Sequence, residues 1–110
     1  MPNTDTIKAS ELAQRAEEVA RRLSLLSNPS RLLILCRLAE GEASVSELQT
    51  VVALSQSALS QHLAKLRESA LVATRRDAQT IFYRIDDEQT EKVMAALYDI
   101  FCKPSRNDVR

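Results

Sequence analysis

The apolar spacing of this chain changes period twice, and no other feature limits the possible folds as strongly. Up to "ESALV" (Glu68–Val72) apolar side chains recur at helical steps of three and four. "VATRRD" and "QTIFYRI" then alternate, with Ile81, Tyr83 and Ile85 on one face, which predicts two short strands. The "DA" between them predicts a tight turn, because Asp tolerates positive φ. Helical spacing returns with Val93, Met94, Leu97, Ile100 and Phe101. The order is therefore helices, one hairpin, and a final helix stopped near Pro104.

Start and stop signals divide the leading helices. Leu12, Ala16, Val19, Leu23 and Leu26 form one narrow stripe on a first helix. "SNPSR" restarts the chain, with Asn28 as N-cap and Pro29 at the first helical position. The second helix, about Pro29 to Glu40, is apolar almost all round and should be central. Gly41, the only glycine, should end it in a left-handed conformation. "SVSE" is a capping box, Ser44 with Glu47, opening a short third helix over about Val45–Val52. A fourth helix follows, capped by Ser55, with Leu59, Leu63 and Leu66 on its buried face. This is a mainly α chain with a β-hairpin wing, in the order α-α-α-α-β-β-α. One domain over 1–110 is expected, with 1–6 and 105–110 disordered.

Composition and charge narrow the partners. Net charge is zero, so bulk charge alone does not recruit a polyanion. Locally the balance differs. Lys65, Arg67, Arg75, Arg76 and Arg84 face only Glu68 and Asp77 between Ser55 and Ile85. The final helix region is acidic, with Asp86, Asp87, Glu88, Glu91 and Asp99 against Lys92. Apolar runs such as "LLILC" are far short of a membrane span, and "MPNTDTIKAS" lacks the pattern of a signal peptide. A cytoplasmic protein with reduced thiols is expected.

The fourth helix opens as "LSQSALSQHL", with Ser and Gln where a solvated helix would carry Glu and Lys. Short hydrogen-bonding groups suit a helix that reads base edges in the major groove, whereas long cations mostly grip phosphates. With the basic hairpin beside it, the pattern is a winged helix-turn-helix. Gln56, Ser57, Ser60 and Gln61 are the candidate base-edge contacts, with Ser55 and His62 beside them. Arg75, Arg76, Gln79 and Thr80 are the candidate wing contacts to phosphate or minor groove. The bland reading of the Ser and Gln cluster is a solvated face, and His62, the only histidine, also fits a packing role.

Pro29-Ser30-Arg31, Ser55-Gln56-Ser57, Gln61-His62-Leu63, Leu66-Arg67 and the strand ending around Tyr83 together resemble the ArsR–SmtB family of bacterial winged-helix repressors. The resemblance runs from about Leu12 to Cys102. It implies a homodimer joined through the first and last helices, which fits their apolar stripes, and double-stranded DNA carrying an inverted-repeat operator. Many relatives sense metals. Where arsenic and cadmium sensors carry Cys-Val-Cys, this chain has Ser44, Val45 and Ser46. At the zinc-ligand places of the last helix stand Asp87, Gln89, Ile100 and Lys103, one ligand of four. No metal or other cofactor is expected.

Cys36 and Cys102 remain. Cysteines in these two helices resemble the persulfide- and redox-sensing (BigR/SqrR/HlyU-like) branch of the family. That resemblance implies a di- or polysulfide bridge within one subunit, formed on exposure to reactive sulfur species, that releases the operator; sulfide-oxidation genes would be the targets. On its own Cys36 reads as an inert small hydrophobe. The alternatives are the same fold answering peroxide or a thiophilic metal through these thiols, or a regulator that binds only protein. A thiol–disulfide oxidoreductase has neither a Cys-x-x-Cys nor a parallel-sheet pattern to support it.

Overall fold

The computed structural model describes residues 8–102. The expectations for 1–6, for Lys103 and Pro104 and for 105–110 lie outside the described residues. The first helix is two helices: α1 (Ala9–Gln14) and α2 (Ala16–Leu26) meet at Arg15, whose φ of −109° and ψ of 9° leave the helical region. No side chain of α1 is buried, so no packing holds it collinear with α2. Of the stripe only Leu26, at its end, is buried, next to Leu25 from outside it.

Helix α3 (Pro29–Ala39) begins as the sequence predicts, with Pro29 at its first position and the Asn28 side chain accepting from the Arg31 N–H at 3.0 Å. Ile34, Leu35 and Leu38 are buried, and the other elements gather round them. Gly41 follows the helix with a φ of +143°, a positive-φ conformation outside the left-handed helical basin.

A strand too short to show alternation comes next. β1 (Ala43–Ser44) was not legible as a strand. Ser44 then serves twice. It pairs in the sheet, and its Oγ accepts from the Glu47 N–H at 3.2 Å while Glu47 accepts from the Ser44 N–H at 2.9 Å. That capping box opens α4 (Val45–Gln49), which ends short of Val52 in a turn that buries the Val52 side chain.

After that turn runs α5 (Gln56–Glu68), capped by Ser55 Oγ on the Ala58 N–H at 3.1 Å. Leu59, Leu63 and Leu66 are almost completely buried. Burying each of these leucines is worth roughly 1.5–3 kcal/mol, which holds the opposite, polar face outward. β2 (Val72–Asp77) and β3 (Thr80–Ile85) form the antiparallel hairpin, and the sheet order is β1-β3-β2. Asp77 pairs with Thr80, so the turn residues are Ala78 and Gln79. The expected "DA" turn is shifted by one: Ala78, with φ of +58°, carries the positive φ. The chain closes with α6 (Glu88–Phe101), capped by Asp87 on the Thr90 N–H. Among the described residues no helix is long and apolar enough to cross a membrane.

Helix α5 ends in a 6→1, 5→2 hydrogen-bond pair, Leu71 N–H to the Leu66 carbonyl and Ala70 N–H to the Arg67 carbonyl, both at 3.0 Å. The pivot, Ala70, sits at φ of +63°, where glycine is the favoured residue. We predict that Ala70→Gly stabilises the protein by about 0.5–1 kcal/mol. Urea unfolding at fixed protein concentration checks this: the midpoint should rise with the slope unchanged.

Candidate nucleic-acid interface and thiol groove

The exposed face of α5 is set by its buried one. With Leu59, Leu63 and Leu66 inward, Gln56, Ser57, Ser60 and Gln61 stand in solvent over the first turns. Ser55 is exposed too, although its hydroxyl is engaged as the helix cap and lies 3.3 Å from that of Ser57. His62 is half-buried at the edge of this face.

The wing brings Arg76, Gln79 and Thr80 to its open end, all exposed. Arg75 is differently placed. Its Nε and Nη2 donate to both Glu42 oxygens at 2.8 Å, and its guanidinium lies 4.5 Å over the Phe82 ring. Pairing holds the Glu42 carboxyl below its usual range, first through the Arg75 hydrogen bonds, and raises Arg75 in turn. Sequence reasoning missed Glu42, which is 33 residues from its partner and outside any local pattern.

A second long-range pair joins α2 to α6. Arg22 Nε donates to Asp87 Oδ2 at 2.7 Å and its Nη2 to Oδ1 at 3.0 Å, while Nη1 reaches Glu18. The Thr90 hydroxyl and N–H also donate to Asp87 Oδ2. The two side chains of the pair are only 15% and 16% exposed. The Arg22 bonds hold the Asp87 carboxyl far below the ordinary carboxylate range. Asp87, the residue matching a zinc ligand by resemblance, thus has both oxygens occupied. Among the described residues no group of three or more His, Cys, Asp or Glu is arranged to hold a metal ion.

Both cysteines are free thiols, and both line the same two grooves between α3 and α6. The larger, about 570 Å³, is walled also by Ala39, Met94, Ala95 and Tyr98 and rimmed by Glu40, Glu91 and Asp99. The smaller, about 220 Å³, is lined with Leu32, Leu97 and Phe101. Cys36 sits in the C-terminal half of α3 and Cys102 is the C-cap of α6. Burial pushes the Cys36 thiol pKa up, and the charges of Cys102 and Glu40 push it further. The sequence offered no sign of the carboxylate rim, which depends on how α3 and α6 pack.

Two helices joined by a turn, the second presenting a polar face beside a basic hairpin, make this a winged helix-turn-helix, a DNA-binding class. Residues 28–74 match the family model for bacterial regulatory proteins of the arsR family. The chain is 46% identical over 96 residues to the biofilm growth-associated repressor of Agrobacterium fabrum, covering 87% of this chain and 82% of that protein. It is 40% identical over 96 residues to the transcriptional activator HlyU of Vibrio cholerae, covering 87% and 89%. The crystal structure of the repressor BigR from Xylella fastidiosa superposes with a TM-score of 0.83 at 44% identity, over 88% of this chain and 99% of that one. The chain belongs to the ArsR family, in its BigR/HlyU-like branch. It is a DNA-binding transcriptional regulator.

The Arg22–Asp87 pair sets a pH dependence. A carboxyl whose folded pKa is depressed stabilises the fold above its unfolded value, near 3.9, and loses that contribution as pH falls below it. Asp87→Asn keeps a capping side chain but removes the charge, and is expected to destabilise by roughly 1–2 kcal/mol at pH 7. Unfolding curves of both proteins should stay equally far apart from pH 7 to 5 and converge towards pH 2. A gap that persists in strong acid would contradict the ion-pair account.

Proposed function

We propose that this protein is a homodimeric repressor that leaves an inverted-repeat operator when Cys36 and Cys102 become linked by reactive sulfur or by oxidation. The observation that carries the reading is the convergence of both free thiols on the same grooves between α3 and α6. The chemistry needs only those two groups and an added sulfane sulfur. One thiolate attacks the outer sulfur of a persulfide R–S–SH, forming Cys–S–SH and releasing RS⁻. The other attacks the protein-bound inner sulfur, closing a disulfide and expelling HS⁻; longer donors leave extra sulfur in the bridge.

Dimerisation is supported by apolar side chains that this subunit leaves in solvent. Leu12, Leu23, Tyr98, Ile100 and Phe101 are 58%, 52%, 55%, 68% and 77% exposed, on the two termini of the fold. A bridge ties the core helix α3 to α6, which bears part of that surface. Two recognition helices then lose the spacing of one DNA turn, about 34–36 Å. In this reading Gln56, Ser57, Ser60 and Gln61 meet base edges, with Ser55 and His62 adjacent, and Arg76, Gln79 and Thr80 serve the wing.

Operator affinity of the wild type, Cys36→Ser and Cys102→Ser, before and after polysulfide, tests the switch. Both variants should bind as tightly as the reduced wild type and ignore polysulfide, which should weaken the wild type at least about tenfold, roughly 1.4 kcal/mol. Intact mass separates a polysulfide bridge, which adds sulfur, from a plain disulfide, which only removes two hydrogens. Normal release by either serine variant would sink the two-thiol switch.

Base readout has its own test. A glutamine that bonds one base edge is worth about 1–3 kcal/mol of discrimination. Gln61→Ala should lower operator affinity by that amount while leaving affinity for unrelated duplex, and the salt slope, as they were. Equal weakening on both duplexes would remove Gln61 from base recognition.

A further inference from the structure

We infer that Glu42 positions the wing for DNA by clamping Arg75, so that Arg75 acts through the hairpin's posture and not as a phosphate contact. The inference rests on reading the hairpin as part of the DNA interface, and adds a residue that this reading alone does not supply.

The clamp follows from register. Arg75 on β2 lies opposite Phe82 on β3, and Phe82 lies opposite Ser44 on β1. Directly opposed residues of antiparallel strands project to one face, so Arg75 and Phe82 share a face with Ser44. Glu42 stands two residues before Ser44, and the Arg75 guanidinium crosses the Phe82 ring at 4.5 Å to meet it. Both Glu42 oxygens are taken, by Nε and Nη2 at 2.8 Å, the forked geometry that fixes orientation as well as distance.

What the clamp joins gives it a role in binding. Glu42 leads directly into β1, and β1 ends on Ser44, the cap of α4. The helix pair that carries α5 is thereby tied to the outer strand of the wing. β1 itself contributes only two residues of pairing to β3, and none to β2. Glu42–Arg75 adds a link from the β1 side to β2, the strand that contains Arg76 and that α5 also meets. A guanidinium gripped by both carboxylate oxygens and stacked on a ring is also poorly disposed to exchange them for a phosphate.

The test is DNA affinity against salt for the full-length wild type, Glu42→Gln, Arg75→Gln, the double variant and Arg76→Gln, on duplex from the region upstream of the protein's own gene. Urea midpoints run in parallel, to separate loss of binding from loss of fold. We expect Glu42→Gln and Arg75→Gln each to weaken binding about fivefold, with the double variant no weaker than either, as coupled partners require. Their slopes of log affinity against log salt should match the wild type, whereas Arg76→Gln should flatten it by about 0.9, one phosphate contact. The opposite pattern overturns the clamp alone: tighter binding by Glu42→Gln, with Arg75→Gln flattening the slope by about 0.9, would make Arg75 a phosphate ligand that Glu42 competes for. If all four variants, Arg76→Gln included, bind like wild type, the wing lies off the DNA, and the interface reading falls with the clamp.

Discussion

Everything in this fold is organised by the burial of one helix. Ile34 and Leu35 on α3 are fully inaccessible and Leu38 nearly so, in a cluster that also takes in Leu25, Leu59, Leu63, Leu66, Ile85 and Met94. These come from α2, α5, β3 and α6, so α3 is common ground between α5, the wing and the terminal helix. Close-packed interiors transmit displacement because side chains have no slack to absorb it. A shift of α3 is felt at α5 and at α6 alike. Cys36 sits on the outer face of that helix, in the groove against α6, where a bond would act on the central element directly.

Around that apolar centre, two forked Arg–carboxylate pairs set the angles of the peripheral parts. Arg22–Asp87 fixes α2 against the start of α6, and Glu42–Arg75 fixes the strand β2 against the segment entering β1. They differ in surroundings and so in their expected weight. The first is largely sheltered from water and backed by Thr90, so its breakage is felt as stability. The second is half in solvent, where ion pairs contribute little to folding, and its value lies in orientation. Asp87 is held by an internal partner on both of its oxygens. Where the resemblance to zinc sensors would place a metal ion on this carboxylate, an internal guanidinium supplies the positive charge.

Much of this was legible because the determinants are local. Asn28, Ser44 with Glu47, and Ser55 act within one turn of their own helices, and each caps as its sequence context indicates. The inward leucines of α5 follow from a spacing that only a helix satisfies. The failures share a cause as well. β1 is two residues long and exists because β3 is there to pair with it, so no period could reveal it. The break at Arg15 lies in a stripe that the described chain leaves largely uncovered, with Leu12 and Leu23 in solvent. The hairpin turn moved by one residue because strand register, not the preference of Asp77 for positive φ, settled which residues form the loop. Arg22–Asp87 and Glu42–Arg75 span 65 and 33 residues, and only the fold brings such partners together.

The place of Cys102 gives the proposed switch its mechanical sense. It caps α6 immediately after Phe101, whose ring is 77% exposed, and the smaller groove beside it is lined by Leu32, Leu97 and Phe101 itself. Chain connectivity leaves no slack between a cap residue and the ring next to it. Drawing Cys102 onto Cys36 would therefore turn the last residues of α6 towards α3 and carry Ile100 and Phe101 with them. Those are the most exposed large apolar side chains of the described chain, the surface a second subunit would cover. Such a bond would thus act on the least buried apolar surface of the described chain and on its most buried helix together. Serine at either position would keep the groove and the packing while removing the bond, which separates the proposed thiol signal from the shape around it.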